Sequence, residues 1–496
     1  MRILTHPHHL SEWKTKILDD RSSAQKTIAV DLPATGRKFP GQSQIPFYQK
    51  QTRILTEHHL RLDPERIEDY VVLDGYQALA KALFDMTSEA VIAEIKASGL
   101  RGRSGAGFPT GKKWELAHAA PGHPKYIVCQ AGSSEPGAFA DRCLLEGNPH
   151  SIIEGMLIGA YAAGASEGFL CIQMESPLAA KRAEIALEQA RKHGLLGKSI
   201  LGSEFHLEIN VVRGAGEFFS VDETSLLAAI EGRKAFPCQR PPYPTQEGLW
   251  GKPTVIHAAE TWANVPVILI RSAAWYKTIG TEQSKGTKIF SLAGQARHGG
   301  LVEVPFGTSL RKIIFDIGGG LKDHRSLKAV QTGSPTGGCL PADRINLTVD
   351  FESLSQAGLT MGSGGLIVMD DKTCMVGLAK NAMGFSRSGS CGKCVPCRVG
   401  TQQMFGMLDR ITKGQGREGD IERLEDLAKT VQETSLCRLG QMAPYPVLTT
   451  IRYFRDEYAA HIKKKECPAR ACSGLNGAKR TDRSRRRSRR TRREPK

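Results

Sequence analysis

The sequence predicts an α/β layered domain, followed by a small α+β module and a helical bundle. Between about residues 101 and 280, strand-like runs such as KYIVCQA, GFLCIQM and HLEINVV alternate with helical stretches, a pattern typical of helices layered on a sheet. Residues 285–370 contain short strands separated by glycine turns, whereas residues 371–465 have helical spacing and few strand signals. The length of 496 residues is enough for two to four domains.

These changes of pattern place the domain boundaries. We expect a weakly patterned N-terminal segment at 1–66, an α/β domain with a leading helix at 67–280, an α+β module at 281–370, a helical bundle at 371–465 and a basic, disordered tail at 466–496. The leading helix is expected because the apolar spacing of residues 67–100 is helical and ends at a glycine.

No apolar run approaches the roughly 18 residues that a membrane span needs. The first residues, MRILTHPHHLSEWKTK, contain no apolar stretch of the kind found in secretory signals. We therefore expect a cytoplasmic protein, free or peripheral on the cytoplasmic side of a membrane complex, whose cysteines are ligands or buried thiols rather than disulfides.

The net charge of +17 is concentrated at the C-terminus. Residues 479–496 hold eleven Lys and Arg residues against two acids, a charge of +9, and the other 478 residues carry only +8. Such a run is usually solvated, although it can also bind phosphate non-specifically. The globular part therefore lacks the charge of a nucleic-acid-binding protein, and no specific nucleic-acid partner is expected.

Three cysteines lie three residues apart in SCGKCVPCRVGT, namely Cys391, Cys394 and Cys397. Three local thiolates with a remote fourth are typical of a [4Fe–4S] cluster, and Cys437 in SLCRLGQMAP is the candidate fourth ligand. Zinc is the alternative, but structural zinc usually takes two separated pairs of ligands. The remaining cysteines before the tail are interpreted as buried small residues: Cys129, Cys143, Cys171, Cys238, Cys339 and Cys374.

Two glycine-rich segments are candidates for binding phosphate. GLRGRSGAGFPTGKKW (99–114) combines glycines with basic residues, which suits a backbone that approaches phosphate closely, but its spacing is equally that of an ordinary turn. VVRGAGEFFSVDETSLLAAIEG (211–232) contains Gly214 and Gly216 and places Asp222 and Glu223 at a helix entrance. These two acids either cap the helix or hydrogen-bond a ribose or nicotinamide group.

A family resemblance covers roughly residues 45–475. The segments GLRGRSGAGFPTGKKW, SSEPGAFADR, LLEGNPHSIIEGM, GLVEVPFGTSLR, MGSGGLIVMD, SCGKCVPCRVGT and SLCRLGQMAPYPVLTTIRYFRDEY occur in family order. Together they resemble the NADH-binding flavoprotein subunit of respiratory complex I and of NAD-linked or bifurcating hydrogenases and formate dehydrogenases. HIKKKECPARAC, near the end, is most similar to the soluble hydrogenase and bifurcating branch.

The resemblance implies a Rossmann-like FMN/NADH domain, a ubiquitin-like module and a helical bundle with one [4Fe–4S] cluster. It implies an enzyme, an NADH dehydrogenase subunit in which hydride passes from NADH to FMN and single electrons pass to the cluster. Glu135 and Glu223 would then act at the catalytic site. The implied cofactor-binding residues are Gly102, Arg103, Gly105, Ala106, Gly107, Phe108, Lys113, Gly214, Gly216, Asp222 and Glu223. A small [2Fe–2S] subunit and a larger iron–sulfur or catalytic subunit are the implied partners.

The sequence departs from the family pattern around the expected flavin. The changed positions are Ser104, Gln130, Gly132, Ser133, Ser220, Val221, His257 and Ala258. Each change removes a hydrogen-bonding group or adds bulk, and a lost hydrogen bond costs about 0.5–1.5 kcal/mol. A flavin-free iron–sulfur relay or scaffold is therefore the alternative function. Cys467 and Cys472, in the first residues of the tail segment, are interpreted as remnants of a lost ferredoxin-like extension.

Overall fold

The computed structural model describes residues 4–22, 44–59, 61–132, 135–214 and 222–476. The predicted binding residue Gly216, the changed positions Ser133, Ser220 and Val221, and the Arg-rich tail after residue 476 lie outside these ranges. Within the described ranges, no helix has both the length and the apolar character needed to cross a bilayer.

A four-stranded parallel sheet forms the centre of the first unit, in the order β3-β2-β1-β4. Its strands are β1 (Tyr126–Ala131), β2 (Glu167–Gln173), β3 (Glu208–Gly214) and β4 (Thr254–Ala258). The central strands are buried almost throughout, as parallel strands covered on both faces require. The chain leaves β1 for β2 on one side and later returns to β4 on the other. The carboxyl ends of β1 and β4 therefore border a topological switch point, where open α/β sheets bind ligands.

Twelve helices occur in the described segments before β5, and all but α2, which packs against the second unit, belong with this sheet. They are α1 (His8–Ser22), α2 (Pro46–Gln49), α3 (Ile67–Val72), α4 (Gln77–Asp85), α5 (Ser88–Ser98), α6 (Thr110–Ala119), α7 (Ala140–Gly147), α8 (Pro149–Ala163), α9 (Pro177–Lys192), α10 (Glu223–Ile230), α11 (Ala259–Arg271) and α12 (Ala273–Lys277). The prediction of one leading helix is wrong, because this stretch forms three helices. Asp74 and Tyr76, with φ values of 64°, separate α3 from α4, and the extended backbone of Met86 and Thr87 separates α4 from α5. The last of these ends at Gly99, whose φ is 70°.

Helices α8 and α11 pack closely behind the sheet. A Cβ added at Gly155 would overlap the carbonyl oxygen of Trp262, and one added at Gly159 would overlap the Trp262 ring. Trp262 stacks on Trp114 of α6 with ring centroids 5.9 Å apart, and both indoles are fully buried. Trp114 also donates a hydrogen bond to Nε2 of His257 at the end of β4, at 3.1 Å. The helices thereby fix the position of the strand ends.

The second unit is a five-stranded mixed sheet in the order β6-β5-β9-β7-β8. Its strands are β5 (Thr287–Gly294), β6 (Gly300–Pro305), β7 (Leu327–Thr332), β8 (Cys339–Pro341) and β9 (Gly365–Asp370). Only the β5–β9 pair is parallel among these ladders. The π-helical segment Lys312–Ile317 lies between β6 and β7, and α13 (Phe351–Gln356) lies between β8 and β9. This strand order is that of the ubiquitin-like module.

A buried ion pair joins the two sheets. Lys288 of β5 contacts Glu260 of α11, and both side chains are almost completely inaccessible. Glu260 also accepts a hydrogen bond from the amide of Ile289 at 2.8 Å. Burial and the charge of Glu260 raise the pKa of the neighbouring Asp141 to about 6. The junction is therefore a set of hydrogen-bonded charges, which would be costly to separate within the interior.

Helices form the third unit and complete the predicted mixed α/β fold with its helical C-terminal region. They are α14 (Met375–Ser388), α15 (Val395–Thr412), α16 (Asp420–Thr434), α17 (Arg438–Met442), α18 (Tyr445–Ala459), the π-helical segment Ala460–Lys464 and α19 (Ser473–Asn476). Their apolar faces bury a core that includes Met383, Leu408, Leu424 and Ile451.

Short 3-10 turns occur in the first two units, at Ile200–Gly202, Leu249–Gly251, Lys322–His324, Ser334–Thr336 and Ala342–Arg344.

Candidate active site

A cavity of about 560 Å³ opens at the carboxyl ends of β1 and β4. Gln130 of β1 lines the cavity, and so do Ile256, His257 and Ala258 of β4. Its volume is within the range of about 300–1,000 Å³ that is usual for small-molecule sites. The cavity therefore lies where the sheet topology predicts a ligand.

Most of the predicted site residues line this one cavity, although they come from separate segments of the chain. They are Gly102, Ala106, Gly107, Phe108, Lys113, Glu135, Asp222 and Glu223. The glycine-rich loop before α6 and the acidic pair at the start of α10 are more than 100 residues apart in sequence. The fold brings them together, as the family resemblance implies.

Arg103 does not line the cavity, and this corrects the prediction for its side chain. The side chain is 1% exposed, and its guanidinium donates to the Tyr276 hydroxyl and to the carbonyl of Lys285, both at 2.8 Å. Arg103 therefore supports the loop from behind. Gly105 does not line the cavity either, since a Cβ added there would come 2.9 Å from Gly362. Gly214 ends the edge strand β3, where its carbonyl accepts a hydrogen bond from the amide of Met174.

The glycine-rich loop turns its backbone towards the cavity. The amide of Gly102 donates to the carbonyl of Phe108 at 2.9 Å, which closes the loop. A Cβ added at Gly102 would meet only that carbonyl oxygen, at 3.7 Å, so the adjoining space is open. Gly107 has a φ of 63°, a value that residues with a side chain rarely adopt. The Phe108 ring is 45% exposed and borders the cavity, so it is not a packed core residue.

A network of charges crosses the cavity floor. Lys113 donates to Glu223 at 2.7 Å and to the carbonyl of Ile256 at 3.0 Å, and Arg240 contacts Glu223 at 3.1 Å. Burial acts to raise the pKa of Glu223, but the charges of Lys113 and Arg240 outweigh it and the pKa is lowered. Glu223 is therefore a carboxylate at neutral pH, an acceptor for hydroxyl or amide donors.

Asp222 has the helix-capping role that the sequence left open. Its Oδ1 accepts hydrogen bonds from the amides of Thr224 at 3.0 Å and Ser225 at 3.1 Å, at the first turn of α10. One oxygen of Asp222 is therefore committed to the cap, whereas the contacts of Glu223 are with the cations Lys113 and Arg240.

Sequence reasoning assigned no role to several residues that line the same cavity. They are Leu116, Arg240, Tyr243, Pro244, Thr245, Gln246, Thr254, Thr336, Gly362, Ser363, Arg438, Leu439 and Met442. Some lie in segments that carry the family resemblance, such as MGSGG and SLCRLGQM. The resemblance therefore marked these segments, although no binding role was predicted for the individual residues. Arg438, which directly follows Cys437, is the most informative of these residues.

The four predicted metal ligands are brought to the starts of two helices. Cys394 precedes α15 and Cys397 lies in its first turn, while Cys437 precedes α17. Cys397 and Cys437 are 4% and 9% exposed. A Cβ added at Gly440 of α17 would come 3.0 Å from the Cβ of Cys397, so the two helix starts are in close contact. Cys391 completes the set in the loop before α15.

The environment of these thiols suits a metal cluster. Burial, together with the neighbouring Cys394 and Cys391, raises the pKa of Cys397 against an opposing hydrogen bond from Ser390. Burial raises the pKa of Cys437 to about 11. Such buried sulfurs become thiolates when a bound metal supplies positive charge. The donor set therefore fits an iron–sulfur cluster.

The cavity and the cysteine site share structure. Arg438, Leu439 and Met442 of α17 line the cavity, and Cys437 immediately precedes them. Lys393, between two of the cysteines, donates to the carbonyl of Pro237 in the first unit at 2.7 Å. One short helix thus forms the cavity wall and holds a predicted metal ligand.

Four of the changed positions that the structure describes border the cavity without closing it. Ser104, Gln130, His257 and Ala258 all line it. His257 is 5% exposed, and burial lowers its pKa well below the usual value, so the neutral ring accepts the hydrogen bond from Trp114. The open volume, the open space at Gly102 and the nearby cations fit a flavin nucleotide.

Two cysteine predictions need correction. Cys238 is exposed, in a loop whose backbone is held by a hydrogen bond from the Cys238 amide to Thr224 Oγ1 at 2.8 Å, and Cys143 is only partly buried. Cys374, Cys467 and Cys472 are all buried and lie together beside His461.

Two family models match the chain. The Nuo51 FMN-binding domain matches residues 95–267, and the NADH-ubiquinone oxidoreductase-F iron-sulfur binding region matches residues 377–461. The first match spans the cavity loop and the parallel sheet, and the second contains the four predicted cysteine ligands.

Curated proteins are similar over most of the chain. The NADP-reducing hydrogenase subunit HndC of Solidesulfovibrio fructosivorans is 48% identical over 86% of this chain and 87% of its own. The second F subunit of NADH-quinone oxidoreductase from Rhizobium meliloti is 42% identical over 82% of this chain and 96% of its own. The F subunit of the Escherichia coli enzyme is 38% identical, with 81% and 91% covered.

A solved structure, NAD+-reducing [NiFe]-hydrogenase in the air-oxidized state, superposes with a TM-score of 0.72 and 29% identity. The alignment covers 84% of this chain and 68% of that chain. The chain therefore belongs to the family of NADH-quinone oxidoreductase F subunits, and it contains the FMN-binding domain and the iron–sulfur binding region of that family.

Proposed function

We propose that this chain is the subunit through which electrons enter a hetero-oligomeric oxidoreductase. NADH is oxidised in the cavity at the ends of β1 and β4, and the electrons leave through a cluster at the four cysteines. The observation that carries this proposal is the position of α17. Arg438 lines the cavity while the preceding Cys437 belongs to the ligand set, so a wall residue of the donor site and a ligand of the acceptor site are neighbours in the chain.

The glycine-rich loop and Lys113 hold the nucleotides. Backbone amides and a lysine Nζ suit phosphate oxygens, and the absence of a side chain at Gly102 lets a flat ring system approach the backbone. The exposed ring of Phe108 stacks on a base or nicotinamide ring. Bound FMN supplies the exchange between a two-electron hydride donor and one-electron acceptors.

Glu223 and Glu135 orient the donor at the catalytic position. Glu223 stays ionised beside Lys113 and Arg240, so it accepts hydrogen bonds from ribose hydroxyls or the nicotinamide amide. Glu135 approaches the same cavity from the loop after β1. Neither carboxylate has to accept a proton for hydride transfer, so their role is to position the substrate.

Cys391, Cys394, Cys397 and Cys437 hold one [4Fe–4S] cluster, which relays electrons to partners. We expect a small [2Fe–2S] subunit and a larger iron–sulfur or catalytic subunit, since relatives are named as subunits of a hydrogenase and of quinone oxidoreductases. All twelve cysteines are free thiols, which supports a reducing, cytoplasmic location.

Flavin content and electron transfer in paired lysine variants test this function. The protein is reconstituted anaerobically with iron, sulfide and FMN, and flavin, iron and NADH-dependent reduction of an artificial acceptor are measured on one sample. Lys113→Met removes one of the cations that line the cavity and should lower both flavin content and activity at unchanged iron. Lys112→Met is the matched control, because Lys112 pairs with the surface residue Glu115.

Wild-type protein with iron but no flavin would refute the oxidoreductase function and favour the flavin-free relay. Equal losses in the two lysine variants would contradict the assignment of the cavity. Flavin binding without NADH-dependent reduction would show that the cavity holds the cofactor but does not oxidise NADH.

A further inference from the structure

Four buried side chains at the end of the bundle form a second group of metal ligands. Cys374, His461, Cys467 and Cys472 are all buried, and their ligand atoms lie within 4.8 Å of one another. We propose that these residues bind one structural zinc ion, separate from the iron–sulfur site. The sequence interpretation of Cys467 and Cys472 as remnants considered these two thiols alone, without Cys374 and His461.

The distances match the edges of a tetrahedron around zinc. Nε2 of His461 lies 3.4 Å from the sulfurs of both Cys374 and Cys472, and these sulfurs are 3.6 Å apart. With zinc–sulfur bonds of about 2.3 Å and a zinc–nitrogen bond of about 2.0 Å, tetrahedral ligands lie roughly 3.5–3.8 Å apart. Three sulfurs and one imidazole are a common ligand set for structural zinc.

His461 is oriented as a metal ligand. Its Nδ1 lies 2.7 Å from the carbonyl oxygen of Glu457. Because a carbonyl only accepts, Nδ1 carries the proton and the lone pair of Nε2 points to the cysteines. Hydrogen bonding of the distal ring nitrogen to a backbone carbonyl is the usual way that proteins orient zinc-bound histidine.

The local structure of Cys374 also positions its sulfur. It precedes α14, and its sulfur accepts a hydrogen bond from the amide of Gly377 at 3.3 Å. This N–H donor fixes the direction of the sulfur, which lies 3.4 Å from Nε2 of His461.

The other two cysteines belong to the segment that follows the last bundle helix. Lys465 and Arg470 have φ values of 54° and 55°, and these turns bring the chain back onto the bundle. Leu475 then packs close to Gly414, at 8% exposure. A metal that joins Cys467 and Cys472 to Cys374 would pin this segment to the start of α14.

Other uses of these sulfurs fit less well. All of them are free thiols, and one disulfide would leave an odd cysteine and the oriented histidine unused. In a [4Fe–4S] cluster each cysteine binds a different iron, so the ligand sulfurs must lie further apart than they do here. A cavity of about 410 Å³ borders Cys374 and Cys472 and offers the ion a route to the site.

Metal analysis of the full-length protein tests the proposal. Zinc and iron are measured by mass spectrometry on the reconstituted protein after removal of loosely bound metal. We expect about one zinc and about four iron atoms per chain. Cys472→Ala and His461→Ala should lose the zinc and keep the iron, whereas Cys394→Ala should lose iron and keep the zinc. Cys339→Ala, which alters a buried thiol outside both sites, should keep both metals.

Cobalt substitution keeps the proposal testable if the alanine variants fail to fold. Wild-type protein loaded with Co²⁺ should show thiolate-to-metal charge transfer and the intense visible bands of a tetrahedral site. Zinc near zero in protein grown with added zinc would overturn the proposal. So would zinc that is unchanged in Cys472→Ala, or cobalt spectra without thiolate bands.

Discussion

Gly102→Ala should weaken FMN binding without weakening the fold. Gly102 lines the cavity, and its φ lies outside the left-handed region, so alanine can adopt the same backbone. The new methyl group would meet only the Phe108 carbonyl, at 3.7 Å, an ordinary contact. The free energy of unfolding should therefore stay within about 1 kcal/mol of the wild-type value.

The methyl group would instead occupy space that the flavin needs. Overpacking a tight contact typically costs about 1–3 kcal/mol, and each 1.4 kcal/mol is tenfold in affinity. The Kd for FMN should therefore rise by about 5- to 150-fold. Equilibrium dialysis of anaerobic, flavin-free protein measures this directly, with iron content and Tm determined on the same sample.

Gly406→Ala is the matched control. It lies within α15, and a Cβ added there has no neighbour within 4 Å, so FMN affinity should not change. Wild-type affinity in Gly102→Ala would refute the close approach of flavin to this backbone. A parallel fall in iron content and Tm would also refute it, because the loss would then reflect folding.

Phe108→Ala should raise KM for NADH by about 2- to 12-fold at unchanged flavin content, because an aromatic contact is worth about 0.5–1.5 kcal/mol. Phe84→Ala, an equally exposed ring outside the cavity, should leave KM unchanged, and equal values for both variants would exclude stacking on Phe108. A second prediction concerns Glu154, whose pKa is raised by burial from 4.5 to about 7. Its contribution to stability should be complete below pH 4.5 and lost as the pH rises through 7. Denaturant unfolding should therefore show Glu154→Gln gaining about 3 kcal/mol on the wild type between pH 4.5 and 8, and a constant difference would contradict this.

Local patterns carried much of the prediction. The strand runs and glycine turns predicted the α/β layered domain and the α+β module, because period and turn chemistry are local properties. The spacing of Cys391, Cys394 and Cys397 predicted a metal centre for the same reason. The family resemblance added the pairing of the glycine-rich loop with Asp222 and Glu223, which spacing alone does not give.

The other features of the site depend on tertiary contacts between distant segments of the chain. The sequence does not reveal that Arg103 turns into the interior while Lys113 faces the cavity, because both follow glycine-rich turns. Arg240 contacts Glu223 within the first unit, whereas the charge of Arg438 acts on Glu223 only after the helical unit packs against the first. His461 likewise has no local sign of being a ligand. The five residues between His461 and Cys467 indicate a metal site only because the fold places Cys374, which precedes another helix, beside them.

The stacked indoles behind the sheet give this protein an internal optical reporter. Trp114 and Trp262 are buried against each other, and Trp114 is hydrogen-bonded to His257 on the cavity wall. Their ultraviolet emission overlaps flavin absorption, so a flavin in the cavity would quench it by resonance energy transfer. Occupancy of the cavity could thus be followed in unlabelled protein by the fluorescence intensity and lifetime of its own tryptophans.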